Sequence, residues 1–114
     1  MHPSLLEFIR HIHDETMFCL KQTSDIDYDI FIKDEILCRA IVRSLEVIGE
    51  ASKNIPPDFK ARYPLVAWKD MAGMRDRLIH HYFGVDYETV WRTLKEDIPV
   101  LNDWMEIIIK KESN

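Results

Sequence analysis

The sequence predicts an all-α fold, an up-and-down bundle of four main helices plus a short helical turn. Three observations carry that prediction. The 114 residues hold only 3 glycines, too few for the many tight turns of a small β-protein. The 5 prolines fall near segment boundaries. Apolar residues recur at helical rather than alternating spacing. A hydrophobic content of 46% suits one folded domain spanning 1–114.

Ser4 and Glu7 form a capping box that opens the first helix. Leu5, Phe8, Ile12 and Cys19 form its apolar stripe, widened by Ile9, Met17 and Leu20, up to about Thr23. His11 and His13 are two apart, face different ways and cannot chelate one ion together. The acidic stretch 24–29 is a connection. A second helix runs from about Phe31 to Asn54, with Ile36, Leu37, Ala40, Ile41, Ser44, Leu45, Val47 and Ile48 on a wide stripe. Arg39 and Arg43 share one face, and Glu46 and Glu50 are assigned to another. Each pair is either a solvated face or a contact to RNA or a second subunit.

Pro56-Pro57 ends the second helix, 58–63 can make a short turn, and Pro64 interrupts the chain again. The third helix is expected from about Trp68 to Tyr82, with Gly84 as the left-handed residue after its end. Asp86 caps the last helix, whose stripe holds Tyr87, Val90, Trp91 and Leu94. Pro99 should kink or split it near 95–97, because it removes a backbone donor and clashes one turn back. Val100, Leu101, Trp104, Ile107 and Ile108 continue the pattern. Trp91 and Trp104 are expected in the core.

The net charge of −5 excludes a generic nucleic-acid coat but allows a small basic site. Cys19 and Cys38 have no zinc-like spacing and read as buried reduced thiols. The N-terminal residues lack a signal pattern, and no apolar run approaches a membrane span, so a cytoplasmic protein is expected.

The segment Met74-Arg75-Asp76-Arg77-Leu78-Ile79-His80-His81-Tyr82-Phe83-Gly84 concentrates the reactive chemistry. Arginine can hold a phosphate, and histidine can move a proton near neutral pH. The pair suffices to cleave RNA without a metal, since the RNA's own 2′-hydroxyl is the nucleophile. On a continuous helix, Arg75 and His80 stand about 140° apart. Either the long arginine reaches round, or two copies of the segment face each other in a dimer. Asp76 and His80, four apart, would share a face, and the carboxylate would orient the imidazole and favour its charged form. Arg and His on one helix are common in structural settings too.

Residue order sharpens this reading. Arg75-x-x-x-x-His80-x-Tyr82 resembles the R-x-x-x-x-H-x-Y motif of the HEPN superfamily of helical ribonucleases. More closely, the chain resembles HepT-type toxins of HepT/MntA toxin–antitoxin systems. The resemblance extends through Ile48-Gly49-Glu50-Ala51, the proline turn, Trp68, Met74-Arg75, Leu78-Ile79-His80, Gly84-Val85-Asp86, Val90-Trp91 and Asp97-Ile98-Pro99. It implies a dimer with two motifs in a shared cleft, and a metal-independent endoribonuclease acting on tRNA or mRNA. Arg75 and His80 would be the catalytic pair. Asp76 is a supporting residue, where close relatives often carry asparagine. Tyr82 would be the tyrosine to which a partner nucleotidyltransferase antitoxin adds AMP. Arg77, His81, Arg39 and Arg43 are candidate RNA contacts, with His81 either lining the cleft or facing solvent. No metal or cofactor is expected in this chain. ATP and a divalent metal would serve only the partner. The alternative is an inactive helical module that binds such a partner.

Overall fold

The computed structural model describes residues 3–80 and 84–113, with the side chains of Pro3, Ser4 and His80 outside that description. The fold is all-α, as the sequence predicts. Its core is a layer of three long helical stretches. Helix α1 (Pro3–Thr23) lies between α3 (Glu35–Lys53) and α8 (Ile98–Glu112) and packs extensively on both.

Helix α1 starts at Pro3, so Ser4 lies inside it rather than capping it. Proline suits the first helical position, where its missing N–H has no partner to lose. Ile9, Ile12, Thr16 and Cys19 face inward and are fully buried. Met17, expected on this stripe, is 45% exposed. Thr16 Oγ1 donates to Asn102 Oδ1 at 2.7 Å, a buried polar tie between α1 and α8. The free thiols are both buried. Cys19 Sγ donates to Ser44 Oγ at 3.3 Å, and burial pushes its pKa up to about 11, so it stays protonated at neutral pH.

The expected second helix is two helices. Helix α2 (Tyr28–Lys33) is capped by Asp27, whose carboxylate accepts from Ile30 N at 2.9 Å. Asp34 then caps α3 by accepting from Leu37 N at 3.0 Å. Two caps seven residues apart each satisfy orphan amides, so a break at Asp34 costs little. Ile36, placed on the apolar stripe by spacing, lies just past this break and is 83% exposed.

Pro57 opens α4 (Pro57–Arg62). Phe59, Tyr63 and Trp68 bury their rings together, and Trp68 Nε1 donates to Tyr63 O at 3.0 Å. Arg62 and Tyr63 both donate to the Glu112 carboxylate, which ties this turn to the end of α8.

The expected third helix is interrupted twice. Helix α5 (Trp68–Ala72) ends at Gly73, and α6 (Met74–Leu78) runs only one turn further. The chain then extends as β1 (Ile79–His80), paired antiparallel with β2 (Gly84–Val85) in the register Ile79↔Val85 and His80↔Gly84. Asp86 N donates to Leu78 O at 2.8 Å and closes this ladder against the helix end. Gly84 has φ +76°, a left-handed conformation as expected, but it serves the returning strand rather than a helix end.

Asp86 does cap α7 (Tyr87–Arg92), accepting from Thr89 N at 3.2 Å and Thr89 Oγ1 at 2.7 Å. A π-helical turn, Thr93–Asp97, joins α7 to α8 without a break in helical rotation. There Ile98 N–H reaches back five residues to Thr93 O. The wider turn sits one turn before Pro99, where a normal helix would press the proline ring against a carbonyl. Trp91 and Trp104 are half-buried, packed against the edge of the core rather than inside it. Among the described residues, no helix is long and apolar enough to cross a membrane.

Candidate functional site

The motif segment is built on a very short helix held from below. Met74 and Leu78 are buried, four apart, and anchor α6 to the core. Arg75, Asp76 and Arg77 are exposed on its outer side. Beneath it, α3 and α5 approach closely at Gly49. A methyl there would lie 3.1 Å from Met71 O, closer than packed carbon and oxygen normally come. The glycine is what lets the backbone before the motif settle onto α3.

Arg75 turns towards α3. Its Nε donates to Glu46 Oε2 at 3.4 Å, and the arginine side chain stays 59% exposed while Glu46 is 27% exposed. The carboxylate is engaged at Nε, on the inner edge of the guanidinium. The terminal nitrogens take no part in that bond.

Arg77 points elsewhere. Two residues further on a helix, it is rotated by about 200°. Its Nη2 lies 3.7 Å from Asp97 Oδ2, in a cleft it shares with Thr89, Arg92, Thr93 and Glu96. Arg75 and Arg77 therefore serve two sides of α6 and do not converge on one point.

The two arginine candidates on α3 also part from the sequence reading. At about 100° per residue, Arg39, Arg43, Glu46 and Glu50 fall within about 60° of one another. They form one stripe, not two faces. Arg39 is held by Glu35, one turn back, at 2.9 Å. Arg43 is exposed and forms no ion pair with a described residue. It lines a groove between α1 and α3 with Phe8, His11, Glu50 and Asn54. One turn along the same helix stands Glu46, which holds Arg75.

His80 is located by its backbone in β1, two residues past the end of α6. That corrects the expected sharing of a helix face between Asp76 and His80. Ile79 has extended dihedrals, φ −117° and ψ 114°, so four-residue helical spacing does not apply across it. The helix stops because Leu78 O and the strand amides find partners in residues 84–86 instead. His81 and Tyr82 lie outside the described residues. Among the described residues, no three His, Cys, Asp or Glu side chains cluster as metal ligands.

The sequence reading put Glu46 with Glu50 on a solvated or contact-forming face but did not pair it with Arg75. The register, three residues after Arg43 and seven after Arg39, puts Glu46 on their helical face, but its contact with Arg75 arises only where α3 packs against α6.

A model of the family described as Ribonuclease HepT-like matches residues 5–108. A protein of Caldanaerobacter subterraneus subsp. tengcongensis named “Putative RNase” is 46% identical over 105 residues, covering 92% of this chain and 94% of the relative. One of Methanocaldococcus jannaschii with the same style of name is 53% identical over 88 residues, covering 77% and 76%. A Thermococcus cleftensis protein named “Probable ribonuclease HepT” is 51% identical over 88 residues, covering 77% and 80%. No solved structure matches.

Proposed function

This chain belongs to the HepT-like ribonuclease family, and from that premise we propose that it is a metal-independent endoribonuclease with Arg75 and His80 as its catalytic pair. Family membership supports ribonuclease activity. The observation that carries the assignment of a site is the exposed Arg75 fork on a buried-anchored turn, five residues before His80.

In the proposed reaction the 2′-hydroxyl attacks the adjacent phosphorus and the bond to the 5′-oxygen breaks. His80 transfers the proton as general base or acid. Arg75 binds the non-bridging oxygens, where negative charge gathers. The products are a 2′,3′-cyclic phosphate and a 5′-hydroxyl. Arg43 would bind an RNA phosphate along the α3 stripe. Asp76 would tune the local charge, at the cost of repelling RNA. A homodimer would bring two such segments together, with tRNA or mRNA as substrate.

The same reading makes the protein the toxin of a toxin–antitoxin pair. A nucleotidyltransferase antitoxin would add AMP to Tyr82, and the added phosphate and adenine would block RNA by charge and bulk. The test is cleavage of total RNA by purified protein in EDTA, beside His80→Ala, with end-group analysis. Cyclic-phosphate ends that vanish in the mutant are expected. No cleavage by protein shown by mass to be unmodified at Tyr82 would overturn the proposal and leave a partner-binding module.

A further inference from the structure

We propose that Glu46 is a positioning residue for Arg75: it grips the guanidinium by Nε and presents the terminal nitrogens to the scissile phosphate. This rests on the ribonuclease reading above and adds to it a residue outside the motif.

The first argument is mechanical. Helix α6 has only five residues, follows a glycine at its N-cap and leads into a two-residue ladder. Met74 and Leu78 fix its backbone, but both lie on its buried side. A long arginine on the outer side has four rotatable bonds and nothing on α6 to fix them. Helix α3 has 19 residues and a continuous buried face through Ile41, Leu45 and Ile48. Glu46 stands on that rigid element and is the more buried partner of the pair. It is the anchor, and Arg75 is what it holds.

The second argument is geometric. A carboxylate that took both terminal nitrogens would occupy the fork that binds phosphate in parallel. Here the bond uses Nε at 3.4 Å, the nitrogen nearest the stem. A phosphate can meet the outer edge without displacing Glu46. The cost is electrostatic, since a carboxylate near the phosphate repels it. Removing Glu46 therefore has opposite effects on the two kinetic constants. RNA binds as well or better, and the chemical step slows because Arg75 is no longer oriented.

The experiment compares full-length wild type, Glu46→Ala and Glu46→Gln on a single-stranded RNA oligonucleotide, with kcat and KM measured separately. The NMR signal of the Arg75 Nε–H is recorded in parallel. Glutamine keeps an acceptor oxygen for Nε, while alanine does not. Expected are a kcat lowered roughly 10- to 100-fold in Glu46→Ala with KM unchanged or lower, and recovery of most of that loss in Glu46→Gln. The Nε–H signal should be protected from solvent exchange in wild type and Glu46→Gln only. A shift in Tm below about 4 °C in either variant separates positioning from folding. A Glu46→Ala kcat within twofold of wild type overturns the proposal. Equal impairment of both variants with raised KM overturns it too. Wild type that is unmodified and cleaves no RNA overturns the ribonuclease reading, and the positioning role with it, whatever the Nε–H signal reports.

Discussion

Replacing Thr16 by valine tests how α1 and α8 are held together. The hydroxyl is fully buried, 2.7 Å from Asn102 Oδ1 and 2.9 Å from His13 O. Valine keeps the shape and removes the donor, so no cavity is made. Asn102, only 7% exposed, loses that partner for its oxygen. An orphaned buried acceptor costs about 1–3 kcal/mol. Unfolding entropy near 2.1 cal/mol/K per residue gives roughly 0.24 kcal/mol per degree for a chain of this length, so about 2 kcal/mol lowers Tm by roughly 8 °C. Asn102→Leu is expected to cost less, because the Thr16 hydroxyl still has His13 O to donate to. In the double mutant neither polar group is left, and the two losses should fall short of additive by about 1 kcal/mol. The assay is urea and thermal unfolding of the four proteins by circular dichroism. A Thr16→Val protein melting within about 2 °C of wild type, or strict additivity, would refute the argument that this bond is an obligatory buried pair.

Gly84→Ala should cost about 1–2 kcal/mol from φ +76° alone, since nothing lies within 4 Å of the added methyl, and Gly84→Asn should cost less; thermal unfolding compares them. Glu112 is held below the usual carboxylate range, first by the Tyr63 hydroxyl and then by Arg62. Its lowered pKa contributes stability that is present above its unfolded value and is lost as pH falls through the folded one. Glu112→Gln should therefore flatten the acid limb of a Tm-against-pH curve. Tyr63, raised to about 12 chiefly by burial and next by its bond to Glu112, gives the opposite limb, with stability present below pH 10 and lost towards 12. For RNA binding, Arg43→Gln should reduce the slope of log affinity against log salt by about 0.7, and Arg77→Gln should leave it near the wild-type value. Equal changes in both variants would show that RNA also contacts the Arg77 cleft.

Local rules carried most of the fold. The stripe of Leu5, Phe8, Ile12 and Cys19, widened by Ile9, Met17 and Leu20, marks the inner side of α1: Ile9, Ile12 and Cys19 are fully buried, Leu5, Phe8 and Leu20 half-buried, and only Met17 turns outward. Asp86 caps where it was expected, and the disturbance before Pro99 is a π-helical turn at 93–97. Each of these depends on residues close in sequence along one helical segment. The break after Leu78 does not. Leu78-Ile79 suits a helix or a strand equally well, and the choice is made by Asp86 N and by the pairing with Gly84-Val85. The site divides the same way. Arg75 and its exposure follow from the motif, whereas its partner Glu46 is 29 residues away and is found only when α3 and α6 pack. Arg75 and Arg77 are only two residues apart on α6 and are therefore rotated by about 200° from each other, while Arg39 and Arg43 share the α3 stripe with Glu46.

On the proposed reading, this arrangement would let a chain with net charge −5 act on RNA without being a general RNA binder. A broad basic patch gathers phosphates by counterion release, and its affinity grows with every cation it adds. Here Arg39, Arg75 and Arg77 each have a carboxylate within 4 Å, from Glu35, Glu46 and Asp97. A cation so paired contributes little field beyond its own surroundings, because the two charges cancel within a Debye length. What it retains is direction. An arginine with a fixed carboxylate behind it offers hydrogen bonds to a phosphate that arrives from one side. On the proposed reading, affinity for RNA at large is expected to stay low and the interaction to be concentrated where charge develops during cleavage, which is the condition for binding energy to lower the barrier rather than only the KM.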